Sequence, residues 1–390
     1  MSKPQFRELI TPFLQDRMAE LRNRFGEASV EYEALARQYV YTEEEQAPAP
    51  EANLRHYEAD IGLQLGNEKL LGVERLYRRT LVIEPTLACA AHCRYCIRAN
   101  YPRNNLSEDQ LTQIARFCGS PENRDDLREI LVTGGDVLLV PEKVNHLLRA
   151  VIEHAPNIRV ARIATRIPVQ EPARIAGEVL RIFEDKAPLR VELATQINHR
   201  VELCDETIAA YHAIMDRGAR VYAQNVLLRG VNDRIDSLVD LYDALRDLGI
   251  ESHYLFHCVP LRGMGHLRTG LLEAIELGRQ LTCAGGISGR AKPMVAAMTD
   301  IGKIVLYDGT VLHRNDRHVL LQSDYTLDER LRWNPNWTLP DTAEVDATGR
   351  LRVWYLDGPE AESLSKDHGD TVSNHLDRSR YSLPVMRTAG

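Results

Sequence analysis

Three cysteines, Cys89, Cys93 and Cys96, fall within eight positions in "LACAAHCRYCIRAN", residues 87 to 100. Thiolates bind soft metals, and three on one loop can serve a single inorganic centre. Two chemistries compete. A structural zinc takes four ligands, often as paired CxxC units. The other cysteines, Cys118, Cys204, Cys258 and Cys283, are scattered, so His92 would have to complete a zinc set. A [4Fe-4S] cluster is bound by thiolates, and three of them leave one iron open to an outside ligand. The C-x3-C-x2-C spacing favours the cluster. The non-enzymatic counterpart is a protein whose metal centre is structural or regulatory.

A second stretch with chemical content is "TGGDVLLV", residues 133 to 140. Glycines at the end of a strand let backbone groups approach a ligand closely. Further polar residues sit at the ends of apolar runs: Thr165 and Arg166, Thr195 to His199, Gln224 and Asn225, His257 and Cys258.

The elements that position these residues repeat. β-Branched runs begin at 80, 129, 159, 190, 219 and 252; after the first gap their starts are 30, 31, 29 and 33 residues apart. Amphipathic stretches lie between them, among them "SEDQLTQIARFC", "PEKVNHLLRAVIEHA", "EPARIAGEVLRIFED" and "DSLVDLYDALRDLG". Strand and helix alternating at a period near 30 imply parallel strands. Six units predict an α/β fold, a partial (β/α)6 TIM-like barrel; a doubly wound open sheet is the other arrangement with this pattern. In both, function gathers at the carboxyl ends of the strands.

The expected organisation is a helical extension over 1–70, the barrel over 71–310 and an irregular extension with a polar tail over 311–390. An acidic, proline-containing linker is expected at 43–53, "EEEQAPAPEAN". The 390-residue chain carries a net charge of −8, which argues against a nucleic-acid partner. No apolar run reaches the roughly 18 residues of a membrane span. An odd cysteine count with three clustered does not read as a disulfide framework, and the reading is cytoplasmic.

The cysteine spacing, with aromatic Tyr95 before the last Cys, resembles the radical S-adenosylmethionine superfamily. That resemblance implies that Cys89, Cys93 and Cys96 hold a [4Fe-4S] cluster, whose open iron chelates S-adenosylmethionine. It also implies cleavage to a 5′-deoxyadenosyl radical, and the barrel is that superfamily's fold. Thr133, Gly134, Gly135 and Asp136 resemble its GGE-like element, which meets the methionine amino group. "TGGDVLL", "RIATRIPV", "TQINHRVEL", "NVLLRGVND" and "RGMGHLRTG" are similar, in order and spacing, to the lysine 2,3-aminomutase family over about 70 to 310. There pyridoxal phosphate holds the substrate amine, the radical removes a β-hydrogen, and nitrogen moves from carbon 2 to carbon 3.

Carried across, the resemblance places Arg166, His199 and Gln224 in the cavity near S-adenosylmethionine and Arg98 at the substrate carboxylate. Arg75 and Arg79 match the pyridoxal phosphate arginines, and Lys303 its lysine, with Lys292 as a second match. The family's glycine run before that lysine is missing. Its lysine-specific aspartates are replaced by Val259 and Met298, so the expected substrate is an amino acid other than lysine, with a less polar side chain. No Cys follows Cys283, and no zinc is expected. A flavodoxin- or ferredoxin-type protein would donate the electron, and self-association is left open. If pyridoxal phosphate is absent, oxidation, epimerisation or another rearrangement of an amino-acid-like substrate is the alternative.

Overall fold

The computed structural model describes residues 7–47, 62–99, 105–283 and 286–358. Six strands run parallel side by side: β2 (Thr80–Thr86), β3 (Glu129–Gly134), β4 (Val160–Thr165), β5 (Arg190–Thr195), β6 (Arg220–Leu227) and β7 (Glu251–His257). A further strand, β8 (Met294–Thr299), joins parallel to β7, and β9 (Gly302–Val305) returns antiparallel beside it. At the other edge β1 (Val73–Glu74) pairs antiparallel with β2. The nine-stranded sheet ends at β1 and β9, so it curls into a partial barrel and does not close.

Strand periodicity explains the two faces. Leu81 and Ile83 of β2, Ile130 and Val132 of β3, and Ala161 and Ile163 of β4 enter the core beneath the helices. Alternate residues therefore turn inward: Val82 and Glu84, Leu131 and Thr133, Arg162 and Ala164. The covering helices are α3 (Glu108–Gly119), α4 (Pro141–His154), α5 (Asp205–Met215), α6 (Ile235–Asp247) and α7 (Leu271–Cys283). Helix α3 opens on a capping box, with Ser107 and Gln110 satisfying each other's backbone N–H groups.

Several elements differ from the sequence reading. The amphipathic run from Glu171 forms only the short helical turns Pro172–Arg174 and Glu178–Arg181. Gly177 lies between them at φ 50°, a left-handed conformation that interrupts helical hydrogen bonding. The helical amino-terminal extension, by contrast, forms as expected, as α1 (Pro12–Phe25) and α2 (Val30–Tyr39) with Gly26 (φ 95°) between them.

The acidic stretch at 43–53 begins as a 3-10 turn, Glu43–Gln46, and is not simply an exposed linker. Glu45 is buried against Arg94. Residues 48–53 lie outside the described residues.

The carboxy-terminal extension is regular rather than irregular. Strands β10 (Val311–Arg314), β11 (His318–Thr326), β12 (Ala343–Val345) and β13 (Arg350–Leu356) form an antiparallel sheet of order β10-β11-β13-β12. Its core, Val319, Leu321, Val353 and Tyr355, is continuous with Leu271, Ala297 and Ile301 of the barrel. The polar tail beyond 358 lies outside the described residues. Among the described residues no helix is long and apolar enough to cross a membrane.

Candidate active site

The cysteine loop follows β2 at the carboxyl ends of the parallel strands. The amino-terminal segment clamps it: His92 N donates to Leu9 O (2.8 Å) and Arg94 N to Gln38 O (2.9 Å). His92 Nδ1–H donates to the Arg7 carbonyl at 2.7 Å, which ties the offered zinc ligand to the backbone. Arg94 forks onto Glu45, its Nε–H donating to Oε1 at 2.7 Å, in a buried bidentate pair.

All three cysteines are free thiols and partly buried. Burial pushes the Cys89 thiol well up, with Cys96, Asp136 and Cys93 adding repulsion; burial and Cys93 push Cys96 up to about 11. Burial disfavours the thiolate form of Cys89 and Cys96, and a bound metal would favour it. Among the described residues no group of His, Cys, Asp or Glu converges on a single-ion site. A cubane requires no such convergence, because each thiolate takes a different iron. Three free cysteines on one loop are a donor set of the kind that holds a cluster, one thiolate to each of three irons.

Cys93 is the anchored member. Arg166 Nη1 donates to its Sγ at 3.0 Å and Gln170 Nε2 at 3.5 Å. Arg166 itself is held by Glu202 Oε2 (2.5 Å), by Gln38 Oε1 (3.1 Å), by the Gln196 carbonyl (3.3 Å) and by the Tyr95 hydroxyl. Asn198 Nδ2 donates to the same hydroxyl at 2.7 Å. Tyr95 and Arg166 thus meet as neighbours in one buried network. Gln38, Gln170, Asn198 and Glu202 belong to it and were not singled out from sequence. Asn198 and Glu202 do lie inside the quoted run "TQINHRVEL". His199 closes the turn that follows: its Nδ1 accepts from Val201 N (3.3 Å), and burial lowers its pKa.

Gly134 and Gly135 approach protein, not open space. A β-carbon on Gly135 would stand 2.1 Å from Ala88 O, and one on Gly134, at φ +121°, 2.3 Å from Thr86 O. The pair seats the cysteine loop against β3. Thr133, the neighbour of this pair on β3, is also buried. Asp136 spends its carboxylate on the same turn, accepting from Thr165 Oγ1 (2.6 Å), Arg166 N (2.7 Å) and Leu138 N (3.1 Å). Burial nonetheless pushes its pKa up to about 6.

Arg98 Nε–H donates to Glu84 Oε1, so the arginine expected at the substrate carboxylate already faces a buried acid. Val259 and Met298 pack with Tyr95, Cys258 and Ile97 in one apolar cluster beside the loop. Gln224 Nε2 donates to His253 Nδ1 at 3.2 Å.

Deeper in the lumen lies Lys303, on β9. Its Nζ donates to the Tyr254 hydroxyl at 2.7 Å and stands 4.0 Å from the Tyr254 ring centroid and 5.6 Å from that of Tyr77. Burial, then the nearby Arg162 guanidinium, lowers its pKa to about 8. Lys292 instead donates to the Thr282 carbonyl and is exposed. The expected phosphate fork does not assemble. Arg75 donates to Asn123 Oδ1, and Arg79 Nη1 donates to the carbonyls of Asp125 and Asp126 at 3.3 and 3.1 Å. Both are spent at the amino ends of the strands. The lysine's environment thus fits pyridoxal phosphate, and the arginine pair does not.

The chain is 28% identical over 254 residues to the L-lysine 2,3-aminomutase of Clostridium subterminale, covering 65% of this chain and 60% of that protein. It is 29% identical to the enzyme of that name from Acetoanaerobium sticklandii, covering 66% and 62%, and 29% identical to that from Bacillus subtilis, covering 65% and 53%. No family model matches. Among solved structures, a radical SAM methyltransferase from Sphaerobacter thermophilus aligns at TM-score 0.43 and 19% identity over 59% of this chain and 69% of that one. Streptococcus suis SuiB bound to S-adenosylmethionine aligns at 0.44 and 18% over 56% and 50%.

By sequence the chain is related to the L-lysine 2,3-aminomutases, at 28–29% identity over about two thirds of its length. It spans about three fifths of the length of the curated relatives first matched, so its activity has to be argued from its own residues.

Proposed function

We propose that this chain cleaves S-adenosylmethionine at a [4Fe-4S] cluster on Cys89, Cys93 and Cys96, and takes a hydrogen atom from a free amino acid other than lysine. The finer reading is a 2,3-aminomutase-type shift of the amino group. The observation that carries it is a loop of three free cysteines, one of them donated to by a buried arginine, in a barrel that also holds a buried lysine of lowered pKa. A cluster held by Cys89, Cys93 and Cys96 would supply, from a flavodoxin- or ferredoxin-type donor, the one electron needed to cleave the sulfonium to methionine and a 5′-deoxyadenosyl radical.

The chain's own residues set the conditions. Arg166 and Gln170 fix the Cys93 sulfur by donating to it. Val259, Met298 and Ile97 line the loop with apolar surface and keep water from a reactive centre. They also offer no carboxylate to a lysine ε-ammonium, whose unpaired burial costs about 3–5 kcal/mol. Lys303, about half neutral at pH 8, has a free electron pair for an aldehyde. It is the residue that would hold pyridoxal phosphate, which supplies a carrier for the migrating nitrogen. One observation favours a second reading without that cofactor: Arg75 and Arg79 are committed elsewhere. Oxidation, epimerisation or another rearrangement would then follow hydrogen abstraction.

Anaerobic reconstitution tests both levels. Near four irons per chain, with 5′-deoxyadenosine released on reduction and lost in Cys93→Ala, supports radical chemistry; one zinc without sulfide sinks it. Bound pyridoxal phosphate absorbing in the visible, lost in Lys303→Ala, and a β-amino acid product support the amino shift. A chain that turns over but binds no pyridoxal phosphate leaves the second reading.

A further inference from the structure

The nine-stranded sheet leaves an open side between β1 and β9. The carboxy-terminal extension lies across it. Arg330, on the helix Leu327–Trp333, is 1% exposed. Its one guanidinium donates to Leu76 O, just past β1, and to Ile301 O, just before β9. The same group stands 4.7 Å from the Tyr325 ring centroid and 5.5 Å from that of Trp337, two more residues of the extension. A planar fork of donors can take a carbonyl from each edge, so a single side chain staples the seam.

Lys303 sits on that seam. β9 is an edge strand, and the ladder it shares with β8 continues as Leu306 N donates to Val295 O. Hydrogen-bonded and non-hydrogen-bonded pairs alternate along an antiparallel ladder, which turns both backbone groups of Lys303 away from β8. Edge N–H and C=O groups need other partners. Two tyrosines supply them: Lys303 N donates to Tyr77 Oη at 3.2 Å, and Tyr325 Oη donates to Lys303 O at 2.7 Å. Their ring centroids are 6.2 Å apart. Alternation along β9 sends Ile304 into the core shared with the extension and the Lys303 side chain into the lumen. The titratable groups that face the amine there are Tyr254 and His253 on β7, Arg162 on β4, Glu129 on β3, and Tyr77.

We infer that the carboxy-terminal extension is part of the site: Tyr325, together with Tyr77 and the Arg330 staple, is a positioning residue that holds the Lys303 amine inside the lumen and away from water. This rests on the reading of Lys303 as the amine of the proposed amino shift.

The test is competitive labelling of the full chain without added pyridoxal phosphate, which reads the Lys303 midpoint. Tyr325→Phe keeps the ring and removes the hydroxyl, so water takes its place at the Lys303 carbonyl and the amine gains solvent. The midpoint should rise from about 8 by about one unit, toward the ordinary value. Arg330→Lys, which lacks the fork that spans both edges, should move it the same way. Tyr254→Phe should move it the other way, because it removes the oxygen that accepts from Nζ and so disfavours the ammonium. Tyr355→Phe removes a buried hydroxyl of the same carboxy-terminal sheet, one bonded to His257, and serves as the control for general loosening; its Lys303 midpoint should equal that of wild type. An unchanged or lower midpoint in Tyr325→Phe, or a rise of equal size in Tyr355→Phe, overturns the assignment. Should Tyr325→Phe not fold, Tyr77→Phe, at the other backbone group of Lys303, carries the same prediction. A wild-type chain with its midpoint near 8 that binds no pyridoxal phosphate overturns the amino-shift reading alone, a distinct failure.

Discussion

The lowered pKa of Lys303 is measurable without knowing the substrate. An ordinary lysine titrates near 10.5, and this one near 8. At pH 8 about half of Lys303 is neutral, against about 0.3% of an ordinary lysine, so the nucleophilic fraction is about 150-fold larger. Competitive labelling with a trace amine reagent from pH 6 to 11, read by peptide mass spectrometry, gives the midpoint of each lysine. The Lys303 peptide should titrate about 2.5 units below the chain's exposed lysines. Burial is the larger cause and the Arg162 guanidinium the second. Arg162→Gln therefore raises the midpoint without restoring 10.5. The same change leaves Glu129, which stands 3.2 Å from Arg162 Nε, free to attract the ammonium, so both effects have one sign. A wild-type midpoint near 10.5, a downward shift in Arg162→Gln, or an unlabelled Lys303 at every pH would refute the placement of this amine in a desolvated, positively flanked lumen.

Gly135→Ala puts a β-carbon 2.1 Å from Ala88 O and 2.5 Å from Leu87 C, both backbone atoms. It should lower iron per chain after reconstitution, whereas Gly289→Ala, with nothing within 4 Å, should load as wild type. Arg166→Leu removes the cation paired with the buried Glu202 carboxylate, whose Oε1 keeps donors from Gln38, Asn198 and His199, and should destabilise the chain in denaturant unfolding by about 3 kcal/mol; adding Glu202→Leu should return part of that loss, and strict additivity would count against the pair. His257 donates from Nε2 to Thr269 O (2.9 Å) and accepts at Nδ1 from the Tyr355 hydroxyl (3.0 Å), and burial lowers its pKa to about 3. Between pH 6.5 and 3 the unfolded chain binds the extra proton, so stability falls as pH falls, by about 2 kcal/mol at pH 5 from this group alone. Thermal melts of His257→Gln should show a shallower acid slope, and an unchanged slope would contradict the assignment.

The barrel was legible because each strand is a short apolar run at a near-constant interval, and only parallel βα units repeat that way. The polar residues at the strand ends were legible too, from Thr165 and Arg166 to His257 and Cys258, whereas the inward-facing Arg162 and Glu192 within the strands passed unread. What sequence could not show is pairing across long separations. Glu45 reads as linker until Arg94, 49 residues on, is seen to hold it. Gln38 reads as an ordinary helical glutamine until Arg166 is found on its side chain, 128 residues away. Arg75 and Arg79 have the right types and spacing for a phosphate, and only their neighbours Asn123, Asp125 and Asp126 show that the spacing serves a loop. The carboxy-terminal sheet escaped because its strands are short and separated by polar turns, so no single run carried a period.

These long-range pairs make the amino-terminal helices part of the site and not an appendage to it. The cysteine loop has few contacts of its own: Cys96 N to Cys93 O (3.1 Å) is a local turn. Its position is set from three sides, by Gly134 and Gly135 beneath, by Arg166 at the Cys93 sulfur, and by residues 7–47 over His92 and Arg94. Arg166 reaches Gln38 on α2 and Glu202 after β5 with one guanidinium, so the helical segment and the barrel are joined through the group that donates to the Cys93 sulfur. A planar donor with five N–H groups can serve all these partners at once, and a lysine cannot. The loop and its Cys93 sulfur are therefore held by the protein's own groups, as the proposed cluster would require, since its open iron would contribute no side chain to hold it in place.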